Sequence, residues 1–447
     1  MHNSKIPSYI SLPRKVKNCL NLWKKSEKNL KKWYFIEMNV FILCKVIDNF
    51  GDIGFVYRLT RQLLQIEKNI SLTLVVSNLE SFSFIEKKIN PSLKKQAVDL
   101  GYGKFNLLEW ESEAECEEYI KQNKVELVLE CFQCSRPLWL EKYLNDTQRK
   151  LTVKIINIDY LTAEDWVEDF HLLKSGTRFI NTKKINFMPG FTNKTGGLVL
   201  DNEFMQNLEE ENGMQNAIEK IKTSIPQIEN YVQENNFNIL IFTYEMDFSP
   251  YAKAIEEFYK IQKQKNAQFK INLFLAKGAG FESVKTALQK IDVKQSEINI
   301  IELPGLNQIV WDSLLCVTDF NIIRGEDSFA RACLSGVPFL WNAYVQKDEF
   351  QLVKVDAFLK LIENFFDTQE SKLIREVSIL LNRTKNKAGK EAGEILENIS
   401  EEKSAGELFC SLLCEAKKIK SAFKKFSRSL IGNGDLARNL LDASLSL

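Results

Sequence analysis

A chain of 447 residues is too long for one hydrophobic core, so we expect two domains or more. The balance of 60 Lys and Arg residues against 59 Asp and Glu residues excludes a strong global attraction to nucleic acid or to an acidic membrane surface. Hydrophobic residues make up 45% of the chain, yet no apolar run approaches the length of a membrane span, so we expect a globular protein without a membrane partner.

The nine cysteines are scattered, and several lie inside apolar segments, such as Cys44, Cys316 and Cys333. This pattern is typical of reduced core residues in a cytoplasmic protein. Cys131 and Cys134 have Cys-x-x-Cys spacing, but a zinc site would need a second pair or histidines, and the chain has only two histidines. We therefore expect no metal, no Ser-His-Asp hydrolysis, and a chemistry carried by carboxylates and arginines.

Residues 1–37 differ from the rest of the chain, because they are basic and show little apolar periodicity. We predict a poorly ordered N-terminal extension, with a presequence or a basic arm as the alternatives. From Met38 onward the strands NVFILCKVI, SLTLVVS, VELVLECF and TVKIINIDYL alternate with helical stretches such as VYRLTRQLLQIEK. Strands that alternate with helices predict a parallel sheet, which we assign to a first domain, residues 38–205.

A second series of strands begins at NFNILIFTY, residues 236–244, and continues through FKINLFLAKG, NIIELPGL, VTDFNIIRG and VPFLWNAY. A polar stretch after Leu200 joins the two series. We assign residues 206–447 to a second domain and predict that the last helix packs back on the first domain. The predicted architecture is α/β, with two doubly wound, Rossmann-like domains that face each other across a cleft.

The first strand ends in a short acidic and glycine-containing turn, DNFGDIG, formed by Asp48, Asn49, Phe50, Gly51, Asp52, Ile53 and Gly54. One interpretation is a strand-to-helix turn in which the glycines allow tight backbone angles and Asp52 caps the helix. The other is a site at the carboxyl end of a strand, where open α/β sheets place their ligands.

In the second series, the segment RGEDS contains Arg324, Gly325, Glu326, Asp327 and Ser328 between a strand and a helix. The free amides of a helix's first turn attract phosphate, and Arg324 adds a charged donor. Glu326 and Asp327 fit better as acceptors for sugar or ribose hydroxyls, with phosphates on the amides and Ser328. A capping box with an Arg–Glu pair is the structural alternative.

Three further segments supply side chains that suit a nucleotide. Phe242 and Tyr244 are two residues apart at a strand end, and could enclose a base, while Gln308 could read a base edge. Trp311 follows one helical turn after Gln308, and Tyr344 lies just past a strand. Core packing is the alternative for each aromatic residue. The chain lacks a G-x-G-x-x-G fingerprint, a P-loop and an Asp-x-Asp motif, which favours metal-free chemistry.

Five segments together resemble a known family: CKVIDNFGDIGFVYRLTRQL, YLTAEDWVE, FMPGFTNKTGGL, RGEDSFARA and VQKDEFQLVKVDAFL. In order and spacing they are similar to the bacterial protein-arginine rhamnosyltransferases that modify elongation factor P, from Met38 nearly to the C-terminus. The resemblance implies a GT-B fold and an inverting, cofactor-free transfer of L-rhamnose from TDP-β-L-rhamnose to an arginine of elongation factor P.

By this resemblance, Asp52 corresponds to the family's proposed catalytic base and Asp48 to the first aspartate of its DNFGD motif. The thymine-stacking pair falls on Phe242 and Tyr244, and the base-reading glutamine on Gln308. The residues that hold ribose and diphosphate fall on Arg324, Glu326, Asp327 and Ser328, and the tyrosine that reaches the diphosphate on Tyr344. The chain departs from the family at Gly305 and Asn307, so base packing is expected to differ in detail.

An arginine acceptor poses a chemical difficulty, because guanidinium has a pKa above about 12 and an ordinary aspartate one near 3.9. Our hypothesis is that Asp48 and Asp52 together grip the guanidinium, and that proton transfer occurs late, as the new bond forms. The alternatives are a GT-B enzyme with another nucleotide sugar or acceptor, a sugar-nucleotide epimerase, and a non-catalytic nucleotide-binding partner of a translation factor. A Rossmann oxidoreductase is disfavoured without the glycine fingerprint.

Overall fold

The computed structural model describes residues 38–47, 51–292, 297–384, 386–400 and 402–447. The predicted N-terminal extension, residues 1–37, lies outside the described residues, as do Asp48, Asn49 and Phe50. Within the described residues, two separate sheets form, one from the first series of strands and one from the second. The predicted α/β class with two doubly wound sheets is confirmed.

The first sheet has eight strands within the described residues, in the order β3-β4-β2-β1-β5-β6-β8-β7. The strands at the two edges, β3 and β7, run antiparallel to their neighbours, and the pairs between the others are parallel. Their bounds are β1 Met38–Cys44, β2 Ile70–Val76, β3 Lys95–Asp99, β4 Lys104–Glu109, β5 Leu127–Cys131, β6 Val153–Ile158, β7 Lys174–Ser175 and β8 Thr182–Phe187.

Helices cover both faces of this sheet, which is why its central strands are continuous apolar runs. One core contains Val40, Ile42 and Leu59, and the other contains Phe41, Leu43 and Trp139, so side chains that alternate along β1 supply both. The helices of this part are α1 Gly51–Ile66, α2 Leu79–Ile85, α3 Glu113–Gln122, α4 Leu138–Asn145 and α5 Trp166–Phe170.

The second sheet has five parallel strands within the described residues, in the order β11-β10-β9-β12-β13. Their bounds are β9 Asn236–Ile241, β10 Lys270–Leu275, β11 Ile298–Glu302, β12 Phe320–Arg324 and β13 Phe339–Asn342. In both sheets the strand order reverses beside the first strand of the series, next to β1 and β5 in one and β9 and β12 in the other. Open α/β sheets bind ligands at such reversals, beyond the carboxyl ends of the strands.

The polar stretch between the two series is partly helical, because its apolar residues recur at helical spacing and pack in the core of the second sheet, as Phe204, Ala217 and Ile221 do. The remaining helices are α6 Asn202–Asn207, α7 Gly213–Lys222, α8 Ile228–Tyr231, α9 Ser249–Lys265, α10 Phe281–Leu288, α11 Gln308–Val317, α12 Glu326–Ser335, α13 Gln351–Ile362, α14 Thr368–Asn382, α15 Lys390–Glu397, α16 Ala405–Gly432 and α17 Leu436–Ser446. Two short 3-10 helices span Lys347–Glu349 and Glu363–Phe365.

The last two helices belong to different cores. Leu412 and Phe423 of α16 pack in the core of the second sheet, whereas Leu440 and Leu441 of α17 pack in the core of the first sheet that contains Val40 and Ile42. The chain therefore crosses from the second domain back to the first just before α17, where the Leu436 amide donates to the Leu198 carbonyl oxygen at 2.9 Å. Among the helices of the described residues, none combines the length and apolar character that a membrane crossing requires.

Candidate active site

Asp52 lies at the carboxyl end of β1, in the first turn of α1, with only 3% of its surface exposed. Its Oδ2 accepts a hydrogen bond from the Ile47 amide at 2.7 Å, which fixes the carboxylate against the chain that leads into the turn. One turn later along α1, Phe55 packs on Phe132, their ring centroids 5.3 Å apart. Phe132 in turn stacks on Tyr160 at 4.5 Å, so the loops after β1, β5 and β6 meet around Asp52.

The second domain contributes Glu326 to the same place. Its Oε1 accepts a hydrogen bond from the Leu161 amide of the first domain at 2.8 Å. Burial raises the pKa of Glu326 to about 8, and the negative charge of Asp52 adds to that rise. Burial, followed by the charges of Asp52 and Glu326, also raises the pKa of Tyr160. Asp52, Tyr160 and Glu326 thus form one electrostatic cluster across the junction of the domains, with Glu326 largely protonated at neutral pH.

The helix that Glu326 opens, α12, begins without a side-chain cap. Gly325 occupies the N-cap position with a φ of 75°, a left-handed conformation that favours glycine. Arg324 packs over Phe242 and Tyr244 instead of pairing with Glu326. The capping-box interpretation of RGEDS is therefore wrong, and the first-turn amides of α12, with the half-buried Ser328, keep their capacity for an anion.

The aromatic side chains singled out in the sequence gather around Arg324. Its guanidinium carbon lies 4.3 Å from the ring centroid of Phe242 and 4.7 Å from that of Tyr244. Trp311 contacts Phe242 edge-on at 5.1 Å, and Tyr344 contacts Tyr244 edge-on at 5.4 Å. The prediction that the strand continues to residue 244 is wrong, because β9 ends at Ile241 and both aromatic residues lie in the loop beyond it.

Several polar atoms in this aromatic cluster are buried but have no hydrogen-bond partner among the described residues: Thr243 Oγ1, Trp311 Nε1 and Arg324 Nε. Buried polar atoms usually have partners, so these are positions where a polar ligand would be favourable. A glycine-containing loop after β10 packs closely against this cluster. A Cβ on Gly278 would lie 2.9 Å from Phe242 Cε2, and one on Gly280 would overlap Thr243 Oγ1 and the Tyr244 carbonyl oxygen.

Gln308 and Asp327 point to a different part of the site, because both contact α1. Gln308 Nε2 donates to the Gly54 carbonyl oxygen at 2.8 Å, and its Oε1 accepts from Arg61 Nη2 at 3.0 Å. Asp327 accepts from Arg58 Nε at 2.8 Å and from Arg58 Nη2 at 2.9 Å. A nucleotide that bound to Gln308 or Asp327 would therefore compete with α1 for these side chains.

A buried ion network, centred on the fully buried Arg58, was not predicted from the sequence. Besides Asp327, Arg58 pairs with Asp201 at 3.1 Å and with Asp312 at 2.5 Å, and Arg331 pairs with Asp201 at 3.4 Å. Burial raises the pKa of Asp312 to about 6, although the Arg58 charge opposes that rise. The residues of this network are far apart in the sequence, and Arg58 resembles one of the ordinary polar residues of an amphipathic helix.

Cys131 and Cys134 are both thiols, with Cys131 buried and Cys134 half-buried beside the same β5 loop. Within the part of the chain that the structure describes, no group of three or more His, Cys, Asp or Glu side chains is arranged to hold a metal ion.

Residues 40–444 match the sequence profile of the family described as Elongation-Factor P (EF-P) rhamnosyltransferase EarP. The chain belongs to this family. A protein-arginine rhamnosyltransferase of Shewanella oneidensis is 32% identical over 333 residues, which cover 72% of this chain and 80% of that relative. One of Pseudomonas putida is 30% identical over 325 residues, covering 71% and 80% of the two chains. As a family member, the protein is an enzyme, a glycosyltransferase of the protein-arginine rhamnosyltransferase class.

A solved structure from work on the structural basis for EarP-mediated arginine glycosylation of translation elongation factor EF-P is similar to this one with a TM-score of 0.51. The two chains are 18% identical, and the match covers 90% of this chain and 97% of the other. At that identity the similarity concerns the fold alone, and the predicted GT-B fold is confirmed.

Proposed function

We propose that this enzyme transfers L-rhamnose from TDP-β-L-rhamnose to an arginine side chain of elongation factor P, with inversion at the anomeric carbon. Family membership and the names of the relatives support the reaction class. The observation that supports this mechanism most directly is the meeting of Asp52, from the first domain, with Glu326, the first residue of α12 in the second. A carboxylate from one domain therefore lies beside a helix N-terminus from the other, and the amides of such a terminus attract anions.

The donor nucleotide would bind to the second domain. The first-turn amides of α12 and Ser328 suit the diphosphate, since a helix N-terminus attracts negative charge. Phe242 and Tyr244 suit a stacked thymine, and the unpartnered donor atoms of Trp311 and Arg324 suit polar groups of the nucleotide. Gln308 would read the base after exchanging its contacts with Gly54 and Arg61, and the exposed Tyr344 would reach toward the diphosphate.

The acceptor arginine would approach Asp52 from the first domain. In the reaction, a guanidinium nitrogen attacks the anomeric carbon from the face opposite TDP. The bond between that carbon and the diphosphate oxygen breaks, TDP leaves with the electron pair, and the proton passes from nitrogen to the carboxylate of Asp52. Because guanidinium is a far weaker acid than an aspartic acid, the transfer occurs late, as carbon–nitrogen bond formation acidifies the nitrogen. Asp48 would help Asp52 to orient the guanidinium.

Glu326 has a separate role in this mechanism. Since its pKa is raised to about 8, its carboxyl group carries a proton at neutral pH and can donate a hydrogen bond to a sugar or ribose oxygen. A protonated Glu326 also avoids repulsion of the diphosphate at the start of α12. Protein donors and Arg324 would then stabilise the leaving group without a metal.

Intact-mass spectrometry tests the proposal. Elongation factor P is incubated with the enzyme and TDP-β-L-rhamnose, alongside an acceptor in which the arginine is replaced by lysine and an Asp52→Asn enzyme. We expect the mass of one deoxyhexose on the acceptor, absent with the lysine acceptor and strongly reduced with Asp52→Asn. Near-full turnover by Asp52→Asn would contradict the base assignment. Transfer from UDP- or GDP-sugars but not from TDP-rhamnose would contradict the donor.

A further inference from the structure

A cavity opens beside the cluster of Asp52, Tyr160 and Glu326, here called the Asp52 cluster, at the carboxyl ends of β5, β6 and β8, with a volume of about 650 Å³. Its floor is a row of polar side chains from adjacent strands, Glu130, Asn157 and Asn186. The charge of the buried Glu130 is compensated by Arg136 and by Lys184, whose Nζ lies 2.9 Å away. The charge of Glu130 is thus already paired within the protein. The other residues that line the cavity therefore determine which ligand it could bind.

Asp159 stands at the edge of this cavity with a charge that has no opposite charge beside it. Its Oδ2 accepts from Gln133 Nε2 at 2.7 Å and its Oδ1 from the Tyr160 amide at 2.8 Å, both neutral donors. Within the described ranges, no lysine, arginine or histidine forms an ion pair with Asp159. An aspartate held rigidly by neutral donors at the mouth of a cavity favours a cation from outside the chain.

Two aromatic side chains also line the cavity. Trp166 and Phe170 of α5 contact each other edge-on at 5.5 Å, and they are 40% and 45% exposed. Leu172 and Leu173 extend this surface and are likewise about half exposed. Exposed aromatic rings beside an acidic group suit a lysine or arginine side chain, whose stem packs on the rings while its charge meets the carboxylate.

The cavity and the Asp52 cluster share one wall. Tyr160 belongs to the Asp52 cluster and Phe132 stacks on it, while their chain neighbours Asp159 and Gln133 line the cavity. Phe132 and Gln133 both have positive φ values, 60° and 50°, which non-glycine residues adopt only when the surrounding structure enforces it. This strained turn directs two consecutive side chains into two neighbouring sites, so one protein ligand could reach both.

We propose that this cavity is a docking site for the acceptor protein, which inserts there a lysine or arginine side chain close to, but distinct from, the arginine that is modified. The inference rests on the proposed function, and adds to it the place where a folded acceptor is recognised. Asp159 supplies the charge, and Trp166 and Phe170 supply the apolar contact. Docking at the cavity then delivers the modified arginine across the shared wall to Asp52.

Two variants test the docking site, Asp159→Asn, which keeps the acceptor atom for Gln133, and Trp166→Ala. Matched controls are Asp146→Asn and Phe84→Ala, an exposed aspartate and an exposed aromatic residue that lie outside the cavity. Thermal unfolding verifies that all four variants are folded. For each enzyme, the affinity for elongation factor P is measured by calorimetry, and KM for both substrates and kcat are measured in the transfer reaction.

We expect Asp159→Asn and Trp166→Ala each to weaken binding of elongation factor P, and to raise its KM, by about tenfold, as losses at the centre of an interface commonly do. KM for TDP-rhamnose and kcat at saturating acceptor should not change. The affinity of the Asp159→Asn enzyme should also depend less on NaCl concentration than that of the wild type. Acceptor affinities within twofold of the wild type in both variants would overturn the docking site. Variant-sensitive binding without rhamnose transfer by the wild type would leave the docking site standing and contradict the proposed function instead.

Discussion

Arg58 of α1 binds Asp327 of α12 through two parallel hydrogen bonds, at 2.8 and 2.9 Å, inside the junction of the two domains. The same guanidinium also reaches Asp201 and Asp312, so one cation serves three carboxylates. Since Asp327 belongs to the RGEDS segment, the position of α12 relative to α1 depends on this arginine. Arg58 would therefore act as a positioning residue for the proposed donor site, and it lies one turn after the DNFGDIG segment.

Replacing Arg58 with methionine should lower the free energy of unfolding by about 3–5 kcal/mol, because it leaves buried carboxylates without their main counter-charge. Arg58→Lys should lose less, since it keeps the charge but not the paired geometry. The matched control is Arg178→Met, which removes an exposed ion pair with Glu141 and should change stability by less than about 1 kcal/mol. Urea denaturation measures all three. Equal losses for Arg58→Met and Arg178→Met would contradict the importance of the network.

Gly280→Ala should weaken TDP binding by about tenfold and lower stability by about 1–3 kcal/mol, because the new methyl group would overlap Thr243 Oγ1 and the Tyr244 carbonyl oxygen and displace the aromatic loop. Gly393→Ala is the control. It lies inside α15 with no atom within 4 Å of the new Cβ, so it should stabilise the helix by about 0.5–1 kcal/mol and leave TDP binding unchanged. Calorimetry measures the affinity for TDP, and thermal unfolding measures the stability of both variants. An unchanged TDP affinity in Gly280→Ala would show that this loop does not contribute to nucleotide binding.

Glu326→Gln should stabilise the protein increasingly as the pH rises. Burial raises the pKa of Glu326 to about 8 in the folded state, against 4.5 for an ordinary glutamate. Between these values the folded protein keeps a proton that the unfolded chain releases, so the wild type loses stability with rising pH until the group has ionised. The advantage of the variant should approach about 2–3 kcal/mol above pH 8, allowing for partial exposure of the residue.

The measurement is the denaturation midpoint of both proteins from pH 5 to 9. Glu80→Gln, on the exposed side of α2, supplies the background effect of removing a surface carboxylate. A constant difference between Glu326→Gln and the wild type over this range would show that Glu326 titrates normally.

His171 should make the protein sensitive to acid. Its Nδ1 accepts a hydrogen bond from the Met188 amide at 3.1 Å, and burial lowers its pKa to about 4, against 6.5 for an ordinary histidine. Between pH 6.5 and 4, His171 is therefore protonated in the unfolded chain but neutral in the folded protein. The free energy of unfolding consequently decreases as the pH falls through this range. His171→Asn keeps an acceptor for Met188 without a titrating ring, so its melting temperature should fall less steeply. Parallel curves for the two proteins would rule out this contribution.

The central strands were predictable because they are apolar runs, and NVFILCKVI, residues 39–47, covers β1 apart from Met38 and extends past its end at Cys44. Strands β4 and β8 were not predicted, because KFNLLE and TKKINF mix polar and apolar residues. The local structure of the RGEDS segment was predictable because its glycine stands between an apolar strand and an amphipathic helix; its role as a ligand site stays a prediction. The Arg58 network was not predictable, because its residues at 58, 201, 312, 327 and 331 converge only when two domains are in place.

The aromatic cluster lies between these cases. Phe242 and Tyr244 were singled out from their spacing, yet the position of Arg324 between them depends on the order of β9 and β12 in the sheet. The pattern of apolar and polar residues predicts the local helix or strand, whereas the partner of a long polar side chain depends on tertiary packing. Gln308 is a further example. Its partners are Gly54 and Arg61, and the sequence of its own helix could not predict them.

The return of the chain into α17 makes the second domain an insertion within the first, joined to it by two covalent connections that lie side by side. One passes through residues 198–200 and the other through Asp435 and Leu436, and they are tied by the Leu436-to-Leu198 hydrogen bond and by the Leu200 amide on Asp435 Oδ1 at 2.9 Å. Two connections that lie side by side restrain the twist between the two sheets more than a single connection would. The register of Asp52 against the start of α12 is therefore constrained at both ends of the inserted segment, by the chain itself as well as by side-chain contacts.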